Sequence, residues 1–121
     1  MHTSRWRFHL DASYQKGAEI VLQQCVKTLG LEPATCTLEP AGSGGFRAAL
    51  VLQHAPDISW PEALYEVMQH AQHLGVGWVL LGHLETDPHA ILNRDSHSRI
   101  KVPGLGWAEW HLTAGQDTGA D

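Results

Sequence analysis

Ser4-Arg-Trp-Arg-Phe-His-Leu-Asp11 alternates between polar and apolar residues from Arg5 onward. Successive side chains of an extended segment point to opposite sides, so Trp6, Phe8 and Leu10 share one face and Arg5, Arg7 and His9 the other. The stretch predicts a strand with one face in a core and the other face polar.

Working outward, Ser13 to Leu29 carries Ala18, Val21, Leu22, Cys25, Val26 and Leu29 at intervals that give a helix one apolar stripe. Gly30 follows where a left-handed C-cap is wanted. Ser59-Trp-Pro-Glu62 is a capping box with proline in the first turn, so a second helix starts there. Its stripe is Leu64, Val67, Met68, Ala71 and Leu74, closed by Gly75. Between the helices, Ala34 to Glu39 and Phe46 to His54 flank the flexible reversal Pro40-Ala-Gly-Ser-Gly-Gly45. That pattern predicts a hairpin whose second strand is apolar enough to be central. Beyond the second helix, Gly77 to Glu85 predicts an apolar strand around Trp78, Val79, Leu80 and Leu81. Ala90 to Asn93, Arg99 to Val102 and Trp107 to Leu112 predict shorter strands.

The order strand, helix, strand, strand, helix, strand places the chain in the α+β class. The expected architecture is a ferredoxin-like split βαβ sandwich, an antiparallel sheet with two helices on one face and an added C-terminal hairpin. Residues 1–113 form the expected single domain, and residues 114–121, small and polar throughout, a flexible tail.

Composition narrows the functional classes. With 43% hydrophobic and 17% charged residues, the 121-residue chain has enough apolar material for one core. No apolar run reaches the roughly 20 residues that cross a bilayer, and Met1-His-Thr-Ser-Arg-Trp-Arg7 lacks the apolar centre of a secretion signal. No membrane partner and a cytoplasmic location are therefore expected. Eight basic against 13 acidic residues, a net charge of −5, disfavours attraction to nucleic-acid phosphates. Cys25 and Cys36 are expected as buried free thiols.

Nine histidines raise the question of a metal. Glu66, His70 and His73 lie on one helical face at a spacing that can hold a divalent ion, a face that equally suits solvated polar residues. Asp95 and His97 place an acid and a base in a loop, with no nucleophile or oxyanion donor to complete a hydrolase. Gly42-Ser-Gly-Gly45 lacks the lysine and the strand-loop-helix context of a phosphate-binding loop, and Ser43 has no nucleophile elbow. No catalytic residue and no cofactor are assigned.

The polar side of the first strand is the more informative surface. Arg5, Arg7 and His9, joined by Arg47 from the hairpin, form an open-face patch. In the last strand Trp107, Glu109 and His111 share one side and Ala108, Trp110 and Leu112 the other, so one tryptophan belongs to the less buried face. The aromatic and glycine pattern with which RNA-recognition domains stack bases on such a sheet is missing from the central strands.

Small size, acidic balance, absence of a catalytic signature, and Gly77-Trp-Val-Leu-Leu-Gly82 with Trp107-Ala-Glu-Trp110 make the chain similar in general character to small bacterial immunity proteins of contact-dependent or polymorphic toxin systems. The resemblance implies a protein-binding module that neutralises a cognate toxin domain. Acidic groups steered to a basic cleft and a few aromatic anchors would do the binding. The candidate partner-binding residues are Trp60, Glu62, Glu66, Glu85, Asp87, Asp95, Trp107, Glu109 and Trp110. Two other classes compete: a small metal-dependent enzyme or ligand-binding protein using His and Glu residues, and an oligomerisation module such as a homodimer.

Overall fold

The alternation that opens the chain produces β1 (Thr3–Leu10), with Trp6, Phe8 and Leu10 buried and Arg5 and Arg7 exposed. The structure, a computed structural model, describes residues 2–94 and 97–114. After β1 come α1 (Gln15–Leu29), β2 (Thr35–Pro40), β3 (Phe46–Gln53) and α2 (Trp60–Leu74). The second half holds β4 (Gly75–Val76), β5 (Val79–Leu81), β6 (His89–Asn93), β7 (Arg99–Ile100) and β8 (Leu105–Thr113). The expected tail, apart from an exposed Ala114, lies outside the described residues.

The protein is α+β, with two helices and one six-stranded sheet in the order β2-β3-β1-β8-β6-β5, all neighbours antiparallel. β3 is inserted between β1 and β2, and β8 enters on the other side of β1. Alternate residues of four strands face the helices: Trp6, Phe8 and Leu10, then Phe46, Ala48, Leu50 and Leu52, then Ala108, Trp110 and Leu112, then Ala90 and Leu92. Ala18, Leu22, Cys25 and Leu29 of α1 and Ala63, Val67, Ala71 and Leu74 of α2 complete this single core. The opposite face of the sheet has no helix over it among the described residues.

Local signals account for the end of α1 and the start of α2. Gly30 adopts φ 78°, the left-handed cap, and donates its N–H to the Val26 carbonyl. Ser59 and Glu62 exchange both capping-box bonds at the start of α2. Those bonds, the backbone one foremost, hold the Glu62 carboxyl below its ordinary pKa. At the other end of α2 the Trp78 indole N–H donates to the Ala71 and Gly75 carbonyls, and its ring meets Trp6 edge to face.

Four expectations are corrected. The buried stripe of α2 includes Ala63, whereas Met68 is exposed and Leu64 only half-buried. Two alanines on the contact line let the helix backbone approach the sheet, so its facing line is set by closeness and not by side-chain size. The strand expected over Gly77 to Glu85 shrinks to the three residues of β5, which sits at the sheet edge with Val79, Leu80 and Leu81 all exposed. Cys25 is buried, its thiol pushed up to about 12 by desolvation, but Cys36 lies exposed on the edge strand β2. The strand expected over Arg99 to Val102 contributes only β7, which pairs with β4 apart from the main sheet.

Candidate functional site

Strand register arranges the uncovered face into rows. Arg7 lies opposite Glu109 on β8 and Ala49 on β3, with Ile91 of β6 beyond Glu109. One row away, His9 lies between Trp107 and Arg47, which faces Glu39. In the third row His89, His111, Arg5 and Val51 stand side by side. Arg7 is ion-paired to Glu109 and Arg47 to Glu39 at 3.5 Å. Among the described residues Arg5 has no carboxylate partner. Two shallow grooves cross this face. One of about 700 Å³ runs along Arg7, His9, Glu39, Arg47 and Trp107, and one of about 460 Å³ along Arg5, Arg7, Asp87, His89, Glu109 and His111.

The smaller groove ends at a three-residue cluster. Asp87 and His89 are two positions apart where the chain enters β6, so they share a face, and His111 is the residue directly opposite His89 on β8. The candidate ligand atoms of the three lie within 4.8 Å of one another, His111 Nε2 contacts Asp87 Oδ1 at 2.5 Å, and the two imidazoles meet edge to face. Pro88 is buried and its carbonyl accepts the Leu112 N–H, which ties the cluster's backbone to β8. Gly82, at φ 78°, packs against it, and a Cβ there would stand 2.1 Å from the Asp87 carbonyl oxygen.

A second histidine–carboxylate array lies on the other side of the sheet. Glu66 Oε1 and His54 Nδ1 are 3.0 Å apart, His54 Nε2 and Ser4 Oγ 2.9 Å, and the Trp6 indole N–H donates to that same Ser4 oxygen. The residue types are those of a serine hydrolase. However, Ser4 is completely enclosed and His54 nearly so, and Ser4 Oγ already accepts the indole proton. The bonds close if His54 donates from Nδ1 to Glu66 and accepts the serine proton at Nε2. This arrangement satisfies buried polar atoms and presents no nucleophile to solvent.

The residues proposed from sequence divide between surfaces. Trp110 is 1% exposed and belongs to the core, so it cannot anchor a partner. Trp60 is half-buried, its N–H bound to the Leu84 carbonyl and its ring against His2. Glu62 serves the helix cap and Glu66 the His54 bond, both on the helix layer. Glu85 is exposed in the turn between β5 and β6. Asp87, Trp107 and Glu109 are brought together on the open face, while Asp95 lies outside the described residues. The acidic candidates therefore do not form one surface. Glu66, His70 and His73 do not converge on a metal either. Glu66 turns to His54, and Lys101 lines the groove beside His70 and His73, where its charge opposes a cation. Among the described residues the one triad with converging ligand atoms is Asp87, His89 and His111. Asp87-Pro-His89 at a strand entry was its visible signal, but pairing it with His111 required the strand order.

Comparison with protein-family models, curated proteins and solved structures finds no match to this chain.

Proposed function

We propose that the chain is a protein-binding module, in the specific form of an immunity protein that docks a toxin domain through the uncovered face of its sheet. The observation that supports this most directly is the face itself. It is a broad, two-grooved surface in which Arg5, Arg7 and Arg47 stand among Trp107, His9 and Glu109, the arginine and aromatic types that dominate interface energetics. The docking chemistry differs from the acidic-anchor expectation, because three arginines lie near the centre of this face and the carboxylates at Glu39, Glu109 and Asp87 are interspersed. A partner of mixed charge fits it better than a uniformly basic cleft.

The ferredoxin-like reading of the fold belongs to the same proposal. It is supported by β3 lying between β1 and β2, with β8 taking the place beside β1 and β6 and β5 widening the sheet. A wider sheet gives a wider docking face.

The test is capture of the partner at endogenous expression, followed by co-expression. The captured protein is expected to be toxic alone and harmless with this chain. Trp107→Ala and Arg47→Glu lie outside the core, so both are expected to fold and to weaken binding by about 2 kcal/mol or more, roughly 30-fold. A partner held equally well by both variants, or no partner at all, overturns the proposal.

A second reading, homodimerisation, is favoured by one observation. Among the described residues β5 ends the sheet with an unpaired edge and exposed Val79, Leu80 and Leu81, the features that invite strand addition. Light scattering that gives a strict monomer removes it, and a dimer abolished by Leu80→Lys supports it.

A further inference from the structure

We propose that Asp87, His89 and His111 form a binding site for one divalent transition-metal ion, with the remaining coordination positions open to the groove beneath Arg5. Two imidazoles and one carboxylate are a donor set suited to zinc, cobalt, nickel or ferrous ions and poorly suited to calcium or magnesium, which favour all-oxygen cages.

The backbone fixes the three donors without help from a ligand. His89 and His111 are cross-strand partners on the open face, Asp87 precedes His89 by two residues, and the Leu112 N–H to Pro88 carbonyl bond holds the entry to β6 against β8. Metal–ligand bonds of about 2.0–2.2 Å put tetrahedral donors about 3.3 Å apart. Donor atoms already within 4.8 Å reach that spacing by small side-chain rotations. The close Asp87–His111 contact marks where the ion would enter, replacing the hydrogen shared by Oδ1 and Nε2. His111 would then bind the ion through Nε2 as a neutral imidazole, with its one ring proton on Nδ1.

Three protein donors leave positions for other ligands, and they lie along the groove lined by Arg5, Arg7 and Glu109. Arg7 is already neutralised by Glu109. Arg5, directly opposite His111 on β1, has no such partner among the described residues, so an anionic oxygen ligand suits the open positions better than a neutral one.

The site is independent of the docking proposal and needs no partner to test. Titration calorimetry of the full chain with zinc chloride, and absorption spectroscopy with cobalt(II), are expected to give one equivalent bound. His89→Ala and His111→Ala should each weaken binding at least about tenfold, since even an outer-shell partner is worth 10- to 100-fold. The double variant His70→Ala/His73→Ala should bind as the parent does. The histidine variants alter exposed or half-buried side chains, and circular dichroism checks that they fold. If either fails, paramagnetic broadening by nickel in the unaltered protein supplies the answer, expected first on the His89 and His111 ring resonances. Absence of one-to-one binding, parental affinity in both site variants, loss of binding in the His70/His73 variant instead, or broadening centred on other histidines overturns the proposal.

Discussion

Ser4–His54–Glu66 and Asp87–His89–His111 are built from nearly the same chemical types, yet one lies beneath the helices and the other on the open face of the same sheet. In the first, Ser4 Oγ and both ring nitrogens of His54 are spent on neighbours, the serine is sealed off, and the array supports the buried Trp6. In the second, donors converge beside a groove open to solvent. Histidine–carboxylate spacing alone therefore does not identify a working site. What decides is whether the atoms retain bonding capacity and whether anything outside the protein can reach them.

The two cysteines repeat that contrast and offer the largest effect by which to break it. Cys36 is expected to react with a thiol reagent in the folded protein, while Cys25 waits for unfolding, a difference of about a thousandfold or more in rate. Comparable labelling of both by mass spectrometry would show that the core opens far more readily than its packing implies. For the buried array, His54→Ala removes an enclosed ring and deprives the buried Ser4 hydroxyl of its partner, so urea unfolding should register a loss of about 3 kcal/mol. Gly82→Ala probes the boundary between the two regimes. Its positive φ and the approach of the Asp87 carbonyl predict a loss of about 2 kcal/mol together with weaker metal binding. The smallest effect belongs to the open array, where His89→Ala should change unfolding free energy by no more than about 0.5 kcal/mol. A loss as large as that of His54→Ala would mean that the two arrays share a structural role.

Much of the covered half was legible in the sequence. Period-2 alternation at Trp6, Phe8 and Leu10, the capping box at Ser59 and Glu62, and the cap at Gly30 are local signals that the backbone obeys directly. Apolar character does not by itself mean burial. Val79, Leu80 and Leu81 look like a core strand, but among the described residues they end the sheet and are exposed. The candidate site was legible only in part. Alternation separates Trp107 and Glu109 from Trp110 but does not say which parity is open, so both tryptophans are expected as anchors until the sheet shows Trp110 buried. His111 and Asp87 could not be joined because their proximity depends on β8 lying beside β6, a pairing that no local pattern encodes.

β8 also sits between β1 and β6, separating two groups of strands that share no main-chain ladder without it. During synthesis, β2-β3-β1 and the β6-β5 hairpin emerge before the element that unites them, and the ribosome must deliver residues up to Thr113 before the assembly can close. Thr3 and Thr113, whose hydroxyl oxygens are 2.9 Å apart, then finish as neighbours. That adjacency makes a circular permutant, linked near these residues and opened in the Pro40–Gly45 turn, a natural way to move the keystone strand to the interior of the chain and ask whether late arrival limits the folding rate.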